Sequence, residues 1–131
     1  MALEDEAERE TLLDAALAEG ADIVGGLDPA TIDGDRAAHL DAVFALAAKH
    51  GKGIDIHLHE RGATGLATIH DICARTTAAG LHGQATISHA FALGDAAEGE
   101  FAAAAGALAT QKRGAAGSYA TENEIRRLGD A

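Results

Sequence analysis

Cysteine is almost absent from this sequence of 131 residues, which contains a single thiol, Cys73. One cysteine can form neither an intrachain disulfide nor a cysteine-based metal cluster, and this usage favours a reducing cytoplasm. The thiol belongs to an apolar helical pattern with Leu66, Ile69 and Ile72, which is typical of a buried helix face. We therefore expect Cys73 to pack in the core rather than to take part in catalysis.

Basic residues are also scarce, with 10 Lys and Arg against 21 Asp and Glu and a formal net charge of −11. A nucleic-acid partner requires a concentrated basic surface that neutralises phosphates, and this sequence offers only two short basic pairs. No apolar run approaches the roughly 20 residues of a membrane span. The acidic start, MALEDEAERE, lacks the features of a signal peptide. These observations predict a cytoplasmic protein without a nucleic-acid or membrane partner.

Aromatic residues make up only 3% of the chain, so the core must consist mainly of Ile, Leu, Val and Ala. We expect Phe44, Phe91 and Phe101 to be its large members. The apolar residues alternate between helical and strand-like spacing, and glycines at 20, 51 and 80 end three of the helical patterns. The predicted elements are helices at 4–19, 35–50, 64–79 and 95–109 and strands at 21–27, 53–59 and 83–90.

Strand centres at Val24, Ile56 and Ile87 recur at intervals of 32 and 31 residues. This spacing is typical of units in which a helix connects two parallel strands. The predicted fold class is therefore α/β, built from parallel βα units. The pattern ends near residue 109, so we divide the chain into a β/α segment, 1–109, and a divergent polar tail, 110–131. Within the tail, Thr121 and Glu124 favour a short capped helix.

Histidines end two successive predicted strands, His57 in IDIHLHE and His89 in TISHA. Because ligands bind at the carboxyl ends of parallel strands, we expect these side chains to lie close together. Two imidazoles suit Zn²⁺ or Fe²⁺, either as two ligands or as one ligand and one hydrogen-bonding partner of a bound water. Glu60, just beyond the strand, is placed to move protons. The competing interpretation is a solvated loop without a metal.

Other polar and glycine residues near the strand ends carry weaker signals. His59 shares the strand face of His57 but lies at or past the end of the strand, and Asp28 predicts a turn. Gly25-Gly26 lacks the frame of a phosphate loop and instead suits close approach of the backbone beside a pocket. We interpret the remaining histidines as surface or packing residues, namely His39, His50, His70 and His82.

Three segments, LLDAALAEGADIVGGLDP, HLDAVFALAAKHGKGIDIHLHE and TISHAFALG, together resemble the amidohydrolase superfamily in its cytosine deaminase-like branch. The resemblance runs from Leu12 to Gly94. It implies a segment of a (β/α)8 TIM-type barrel, about strands four to six, with a catalytic Zn²⁺ or Fe²⁺. It also implies that His57 is a metal ligand, that Glu60 shuttles protons, and that His89 hydrogen-bonds and activates the metal-bound water. The implied reaction is hydrolytic deamination of a small molecule, a cytosine-like nitrogen heterocycle.

Parts of that family's pattern are missing from this sequence. The family's metal also takes a His-x-His pair from the first barrel strand and an aspartate from the eighth, and neither is present in those positions. We therefore expect an incomplete barrel, a fragment whose missing strands come from another chain or from a homo-oligomer. Two alternatives stay open. One is a non-catalytic remnant or interaction module of the family, and the other is a flavodoxin-like sheet that binds an anion near Gly25-Gly26.

Overall fold

A computed structural model describes residues 6–109, which form an α/β fold with a parallel three-stranded sheet. The elements follow the order predicted from the hydrophobic pattern, with one short helix added after the third strand. Their bounds are α1 Glu6–Ala18, β1 Ile23–Leu27, α2 Arg36–His50, β2 Gly53–Leu58, α3 Gly62–Ala79, β3 Ala85–His89, α4 Ala92–Asp95 and α5 Glu98–Ala109. The predictions for the polar tail, including its capped helix, lie outside the described residues.

Local signals set the bounds of the longer helices. Asp35 precedes α2 and accepts a hydrogen bond from the Ala38 amide at 3.0 Å, which satisfies a donor that the first turn leaves free. α2 and α3 end at Gly51 and Gly80, whose φ angles of 63° and 67° lie in the left-handed region. Glycine adopts this region at no steric cost, so the two predicted glycine stops are confirmed.

The sheet, in the order β1-β2-β3, has one covered face and one open face. The covered face carries Val24, Ile54 and Ile56, which are buried in a cluster with α2 and α3 side chains. Successive strand residues point to opposite faces, so Asp55 and His57 lie together on the open face. Side chains on the open face are exposed or half-buried. This face is therefore free to form a site.

The core contains most of the predicted apolar residues. The apolar spacing of α2 predicts five inward residues, and all five are buried, namely Leu40, Val43, Phe44, Leu46 and Ala47. Cys73 is 5% exposed and packs in a second cluster with Leu58, Leu66 and Ile69, so the expectation of a core thiol is confirmed. No helix within residues 6–109 is long and apolar enough to cross a membrane.

α1 departs from the predicted pattern. The apolar spacing predicts that Leu12, Leu13, Ala16 and Leu17 share one inward face, but only Leu17 is buried. Leu12 and Leu13 are 51% and 40% exposed, and Ala16 is exposed as well. The helix contacts α2 and β1 along one side, at the outer end of the sheet. A helix at that end has fewer neighbours to bury its apolar stripe than a helix between two others, which explains why three of these four residues are left exposed.

Candidate functional site

His57 and His89, hereafter the histidine pair, meet at the carboxyl edge of the sheet. The Nδ1 atom of His57 lies 3.3 Å from the Nε2 atom of His89. The His57 side chain is 50% exposed and projects from the open face of β2. The structure therefore brings together the two imidazoles that end successive predicted strands.

A left-handed backbone turn accompanies the approach of His89. In the parallel register His89 pairs with Leu58, whose side chain lies on the covered face. His89 has a φ angle of 72° and Ala90 one of 48°, which departs from strand geometry. The His89 ring nevertheless reaches His57 on the open face. Such conformations cost about 1–3 kcal/mol for a residue with a side chain, and they cluster at functional sites.

Asp55 and Ser88 hold the His57 ring from its other side. The Ser88 hydroxyl donates a hydrogen bond of 2.7 Å to Oδ1 of Asp55. Oδ2 of Asp55 lies 3.3 Å from Nε2 of His57. With the proton on Nε2, the Nδ1 lone pair of His57 is left facing His89. A carboxylate on the far nitrogen is the arrangement that orients metal-binding histidines.

His59 forms a second layer beside the histidine pair. Its ring stacks on that of His89 with a centroid distance of 4.5 Å and an interplanar angle of 28°. Its Nδ1 atom lies 3.1 Å from Oδ2 of Asp28. Oδ1 of Asp28 accepts hydrogen bonds from the backbone amides of His59 and Glu60, at 2.6 and 3.1 Å. One carboxylate thus fixes both the ring and the backbone of His59.

Asp28 has a left-handed backbone, with a φ angle of 40°, and a side chain that is 14% exposed. Burial by itself raises the pKa of the Asp28 carboxyl. The hydrogen bonds from the backbone and ring of His59 and from the amide of Glu60 outweigh this effect, so the pKa lies below its ordinary value of 3.8. Asp28 is therefore an anion at neutral pH and a strong acceptor for the loop after β2.

Glu60 is 6% exposed, and both of its carboxylate oxygens have partners. Oε1 accepts hydrogen bonds from the amides of Ala30 and Thr31, at 2.6 and 3.0 Å. Oε2 accepts one from the Thr68 hydroxyl at 2.7 Å. Within residues 6–109, the hydrogen bonds of this carboxylate go to the loop after β1 and to α3 rather than to the histidine pair. Glu60 therefore fixes the wall of the site in this arrangement.

The histidine pair fits two positions of a metal site. Two nitrogens bound to one tetrahedral zinc at about 2.0–2.1 Å lie roughly 3.3 Å apart, which agrees with the separation of Nδ1 and Nε2. Catalytic zinc usually takes about three protein ligands. Within residues 6–109, however, no three His, Cys, Asp or Glu side chains are grouped to hold a metal ion. The described residues therefore supply only part of a ligand set.

Phe91 places an exposed aromatic ring at the edge of the site, where the sequence predicted a core residue. Its ring centroid lies 5.6 Å from that of His59 and 5.7 Å from that of His89. The residue is 43% exposed because it follows the left-handed turn and precedes α4, which removes it from the core. It lines a cavity of about 300 Å³ together with His89, Leu93 and Phe101.

The other histidines lie outside this arrangement. His39 and His50 each pair with an aspartate, at 2.6 and 2.7 Å, while His70 is exposed on α3 and His82 is half-buried before β3. These placements agree with their interpretation as surface or packing residues. A Cβ at Gly26 would crowd the Ile56 side chain and lie 2.9 Å from Nε2 of His39, so its close packing is on the covered face rather than beside the histidine pair.

Sequence reasoning did not assign Asp28, Asp55, Ser88 or Phe91 to the site. The signal for Asp55 was available, because it precedes His57 by two residues and shares its face. The presence of Ser88 in the site could have been inferred from the strand register, because the register pairs Ser88 with His57. The roles of Asp28 and Phe91 depend on left-handed turns that no spacing rule indicates.

No family model matches the chain. Curated relatives include the uncharacterized protein YahJ of Escherichia coli (strain K12), which is 45% identical over 87 residues, 64% of this chain and 18% of that protein. Another is N-isopropylammelide isopropyl amidohydrolase of Pseudomonas sp. (strain ADP). It is 38% identical over 89 residues, 68% of this chain and 22% of that enzyme. The chain thus spans about a fifth of the length of these relatives.

A solved structure is similar over nearly the whole chain. The crystal structure of N-isopropylammelide isopropylaminohydrolase from Burkholderia multivorans ATCC 17616 matches with a TM-score of 0.78 and 41% identity, over 92% of this chain and 32% of that one. The chain is therefore homologous to a segment of an amidohydrolase-type enzyme. In particular, the enzymes it resembles are named as N-isopropylammelide hydrolases.

Proposed function

We propose that the chain is part of a metal-dependent amidohydrolase-type hydrolase that removes an amino group from a cytosine-like nitrogen heterocycle. The histidine pair, with 3.3 Å between its facing nitrogens, is the observation that carries this proposal. It lies at the carboxyl edge of a parallel sheet, where such folds bind ligands. The proposal is supported by homology to enzymes whose names specify N-isopropylammelide.

Each site residue has a proposed role. His57 binds the metal through Nδ1, because Asp55 engages Nε2. A Zn²⁺ or Fe²⁺ ion held there supplies the Lewis acidity that makes a hydroxide nucleophile available near neutral pH. His89, whose Nε2 lies 3.3 Å from Nδ1 of His57, would hydrogen-bond and orient the nucleophile, and in this role it does not take the second ligand position. Oxygen bonds to the ring carbon, the exocyclic C–N bond breaks, and Glu60 carries the proton to the departing nitrogen.

The proposed proton transfer requires Glu60 to exchange one of its partners for substrate. Thr31 provides such a partner, since its hydroxyl lies 3.4 Å from Oε1, a longer contact than those of the backbone amides. To free that oxygen, the loop after β1 would also have to withdraw the amides of Ala30 and Thr31, while Thr68 keeps the other oxygen in place. Substrate binding and loop position are therefore coupled through one carboxylate.

Further parallel strands, from another chain or from a second copy, are proposed to complete a (β/α)8 barrel. The outer edges of β1 and β3 are unpaired within residues 6–109, and unpaired strand edges attract additional strands. Ile23 and Leu27 are 58% and 44% exposed on the open face next to the β1 edge. The added strands would cover these side chains and contribute the remaining metal ligands.

Turnover by the full chain tests the catalytic proposal. The chain is loaded with Zn²⁺ or Fe²⁺ and incubated with cytosine or N-isopropylammelide, while released ammonia and isopropylamine are measured. His57→Ala is expected to lower the rate about 100-fold or more, because it removes a metal ligand. His70→Ala, which changes an exposed histidine on α3, is expected to keep the rate within about twofold. Glu60→Gln controls for a contaminating host deaminase.

A second proposal is a non-catalytic interaction module, and the absence of a three-ligand group within residues 6–109 favours it. Isothermal titration of the folded chain with Zn²⁺ separates the two proposals. The enzyme proposal requires Zn²⁺ binding that depends on His57, so that His57→Ala weakens it and His70→Ala does not. Weak binding that is equal in all three proteins, together with no turnover, would overturn the enzyme proposal and support the module.

A further inference from the structure

The histidine pair has the spacing of two imidazoles bound to one metal ion. Nδ1 of His57 and Nε2 of His89 lie 3.3 Å apart, and the centroids of the two rings lie 5.1 Å apart. Two imidazoles on one tetrahedral zinc, with Zn–N bonds of about 2.0–2.1 Å, have nitrogens about 3.3 Å apart and ring centroids about 5.2 Å apart. Both separations agree with this geometry, so the two imidazoles can bind the same ion.

The pair lies on a surface that is open to another molecule. The His57 side chain is 50% exposed on the open face of the sheet. Leu27 pairs with His57 in the strand register and is 44% exposed, and Ile23 lies on the same face of β1 and is 58% exposed. The open face therefore presents two apolar side chains beside the two nitrogens of the pair.

The part of the chain that the structure describes supplies no third ligand next to the pair. Among residues 6–109, no three His, Cys, Asp or Glu side chains are grouped to hold a metal ion. His59, the imidazole stacked on His89, has its Nδ1 atom 3.1 Å from the carboxylate of Asp28. Zinc that is fully bound by protein takes four ligands. Two further ligands must then come from outside one copy of residues 6–109.

A second copy of the chain supplies two nitrogens of the same kind. In a two-fold symmetric dimer the same surface of each copy meets the other, so a metal ion on the axis receives the same ligands from both. The two pairs give four imidazole nitrogens, a set that suits Zn²⁺ and not Mg²⁺, which prefers oxygen. The contact also covers Ile23 and Leu27 of each copy.

The charge of the chain makes this association dependent on the metal. Each copy carries a formal net charge of −11, and a large charge of one sign keeps proteins monomeric. The open face offers little apolar area to offset this repulsion, since β2 and β3 place Asp55, Thr86 and Ser88 there. The expected state without metal is therefore a monomer.

We propose that Zn²⁺ joins two copies of this chain through a site of four histidine ligands, His57 and His89 from each copy. The inference rests on the second function proposed above, the interaction module, and names its partner as a second copy of the chain. In the hydrolase His89 orients the nucleophile, whereas in the bridged form it is a ligand. Four protein nitrogens leave no open position for a nucleophile, so the bridged form is not catalytic.

Light scattering during titration of the metal-free full chain tests the proposal. The mass is expected to double with Zn²⁺, to reach its limit at one ion per two chains, and to stay unchanged with Mg²⁺. His57→Gln and His89→Asn each remove one ligand and should stay monomeric, and Asn also tolerates the left-handed backbone after β3. His70→Gln, on the exposed surface of α3, should dimerise as the unchanged chain does. One ion bound per monomer, or dimers of a folded ligand variant at the same Zn²⁺ concentration, overturns the proposal.

Two further measurements decide the question if the ligand variants do not fold. Tetrahedral Co²⁺ absorbs strongly in the visible range, and in the unchanged chain this absorption should saturate at one ion per two chains. Leu27→Asp keeps every ligand but places like charges across the axis, so it should need at least about tenfold more chain to dimerise. Leu12→Asp, at an exposed position on α1, should not. Equal dimerisation of the two variants, or saturation at one Co²⁺ per chain, overturns the proposal.

The bridge and the hydrolase fail separately. One Zn²⁺ bound per monomer, together with turnover, overturns the bridge and supports the hydrolase. Dimers with one ion per two chains, without turnover at any Zn²⁺ concentration, support the bridge and contradict the hydrolase.

Discussion

Asp28 and Glu60 exchange hydrogen bonds across the loops that follow β1 and β2. The Asp28 carboxylate accepts from the amides of His59 and Glu60, and the Glu60 carboxylate accepts from the amides of Ala30 and Thr31. Each carboxylate therefore binds the backbone of the loop that carries the other. Because this exchange fixes the backbone and ring of His59, it links the position of the loops to the geometry of the site.

Replacement of either carboxylate is expected to destabilise the fold. Asp28→Asn and Glu60→Gln each put an amide group where a backbone N–H needs an acceptor, which leaves buried donors poorly paired at a cost of about 1–3 kcal/mol. Urea unfolding followed by circular dichroism measures the free energy of unfolding of each variant. Because both variants disrupt one network, the double variant should lose at least 0.5 kcal/mol less than the sum, as is typical for coupled sites (about 0.5–3 kcal/mol).

Asp22→Asn is the matched control for this pair. Its side chain is 96% exposed, so the same chemical change is expected to alter the unfolding free energy by less than about 0.5 kcal/mol. If the effects of Asp28→Asn and Glu60→Gln on the unfolding free energy are strictly additive, the two carboxylates are not energetically coupled and the prediction is wrong.

Lowering the pH is expected to remove the contribution of Asp28 to the free energy of unfolding. The pKa of its carboxyl is lower in the folded chain than the ordinary value of 3.8, because hydrogen bonds from His59 and Glu60 outweigh burial. The folded state therefore binds this proton less readily than the unfolded state, and stability is lost as the pH falls below about 3.8. The stability difference between the unchanged chain and Asp28→Asn should shrink as the pH falls below about 4. A difference that grows with acid would reverse the assigned sign.

The fold and part of the site follow from local sequence patterns. Spacing of about 32 residues between strand centres predicts parallel βα units, and Gly51 and Gly80 mark helix ends because glycine adopts the left-handed backbone there without steric cost. The alternation of strand residues places His57 on the open face. Helix ends and strand alternation depend on residues that are close together in the sequence, so a single sequence is enough to predict them.

The support of the site depends on contacts that local patterns do not encode. The exchange between Asp28 and Glu60 joins residues 32 positions apart. Both Asp28 and His89 occupy the left-handed region, which residues with side chains adopt only when tertiary contacts compensate. The exposure of Phe91 follows from the same turn. Apolar spacing predicts that Phe91 is buried, but the direction of the backbone after His89 turns its side chain toward solvent.

Gly65 on α3 is packed so closely that we expect even the methyl group of alanine to be unfavourable at this position. A Cβ at this position would clash with the carbonyl oxygen of Glu60 and would lie 2.6 Å from the Cβ of Ala92. Glycine to alanine in a helix normally stabilises by about 1 kcal/mol. Here backbone has to move, so Gly65→Ala should instead destabilise by about 1–3 kcal/mol in thermal or urea unfolding.

Gly106 offers the same substitution in a helix without the clash. Within residues 6–109, no atom other than the nearby backbone of α5 itself lies within 4 Å of a Cβ built at this position. Gly106→Ala is therefore expected to stabilise by about 0.5–1 kcal/mol. If Gly65→Ala stabilises the chain as Gly106→Ala does, the close contact of Gly65 with Glu60 and Ala92 is absent and the prediction is wrong.

Cys73 provides a single chemical probe of core integrity. The thiol is 5% exposed, and burial raises its pKa from 9.0 to about 11. Because the thiolate is the reactive form, the folded chain should react with a disulfide reagent at pH 8 at least 100-fold more slowly than the urea-unfolded chain. Leu66→Ala, which opens the cluster beside the thiol, should speed the reaction, and Leu12→Ala should not.

The Cys73 thiol is also expected to make the free energy of unfolding depend on pH in the alkaline range. The pKa of Cys73 is higher in the folded chain, about 11, than the ordinary value of 9.0, since burial disfavours the thiolate. Its contribution to stability is therefore complete below pH 9 and is lost as the pH rises toward 11. Comparison with Cys73→Ala cancels the titration of lysines and tyrosine. The stability difference between the two proteins should fall between pH 9 and 11, and a constant difference would show that water reaches the thiol in the folded state.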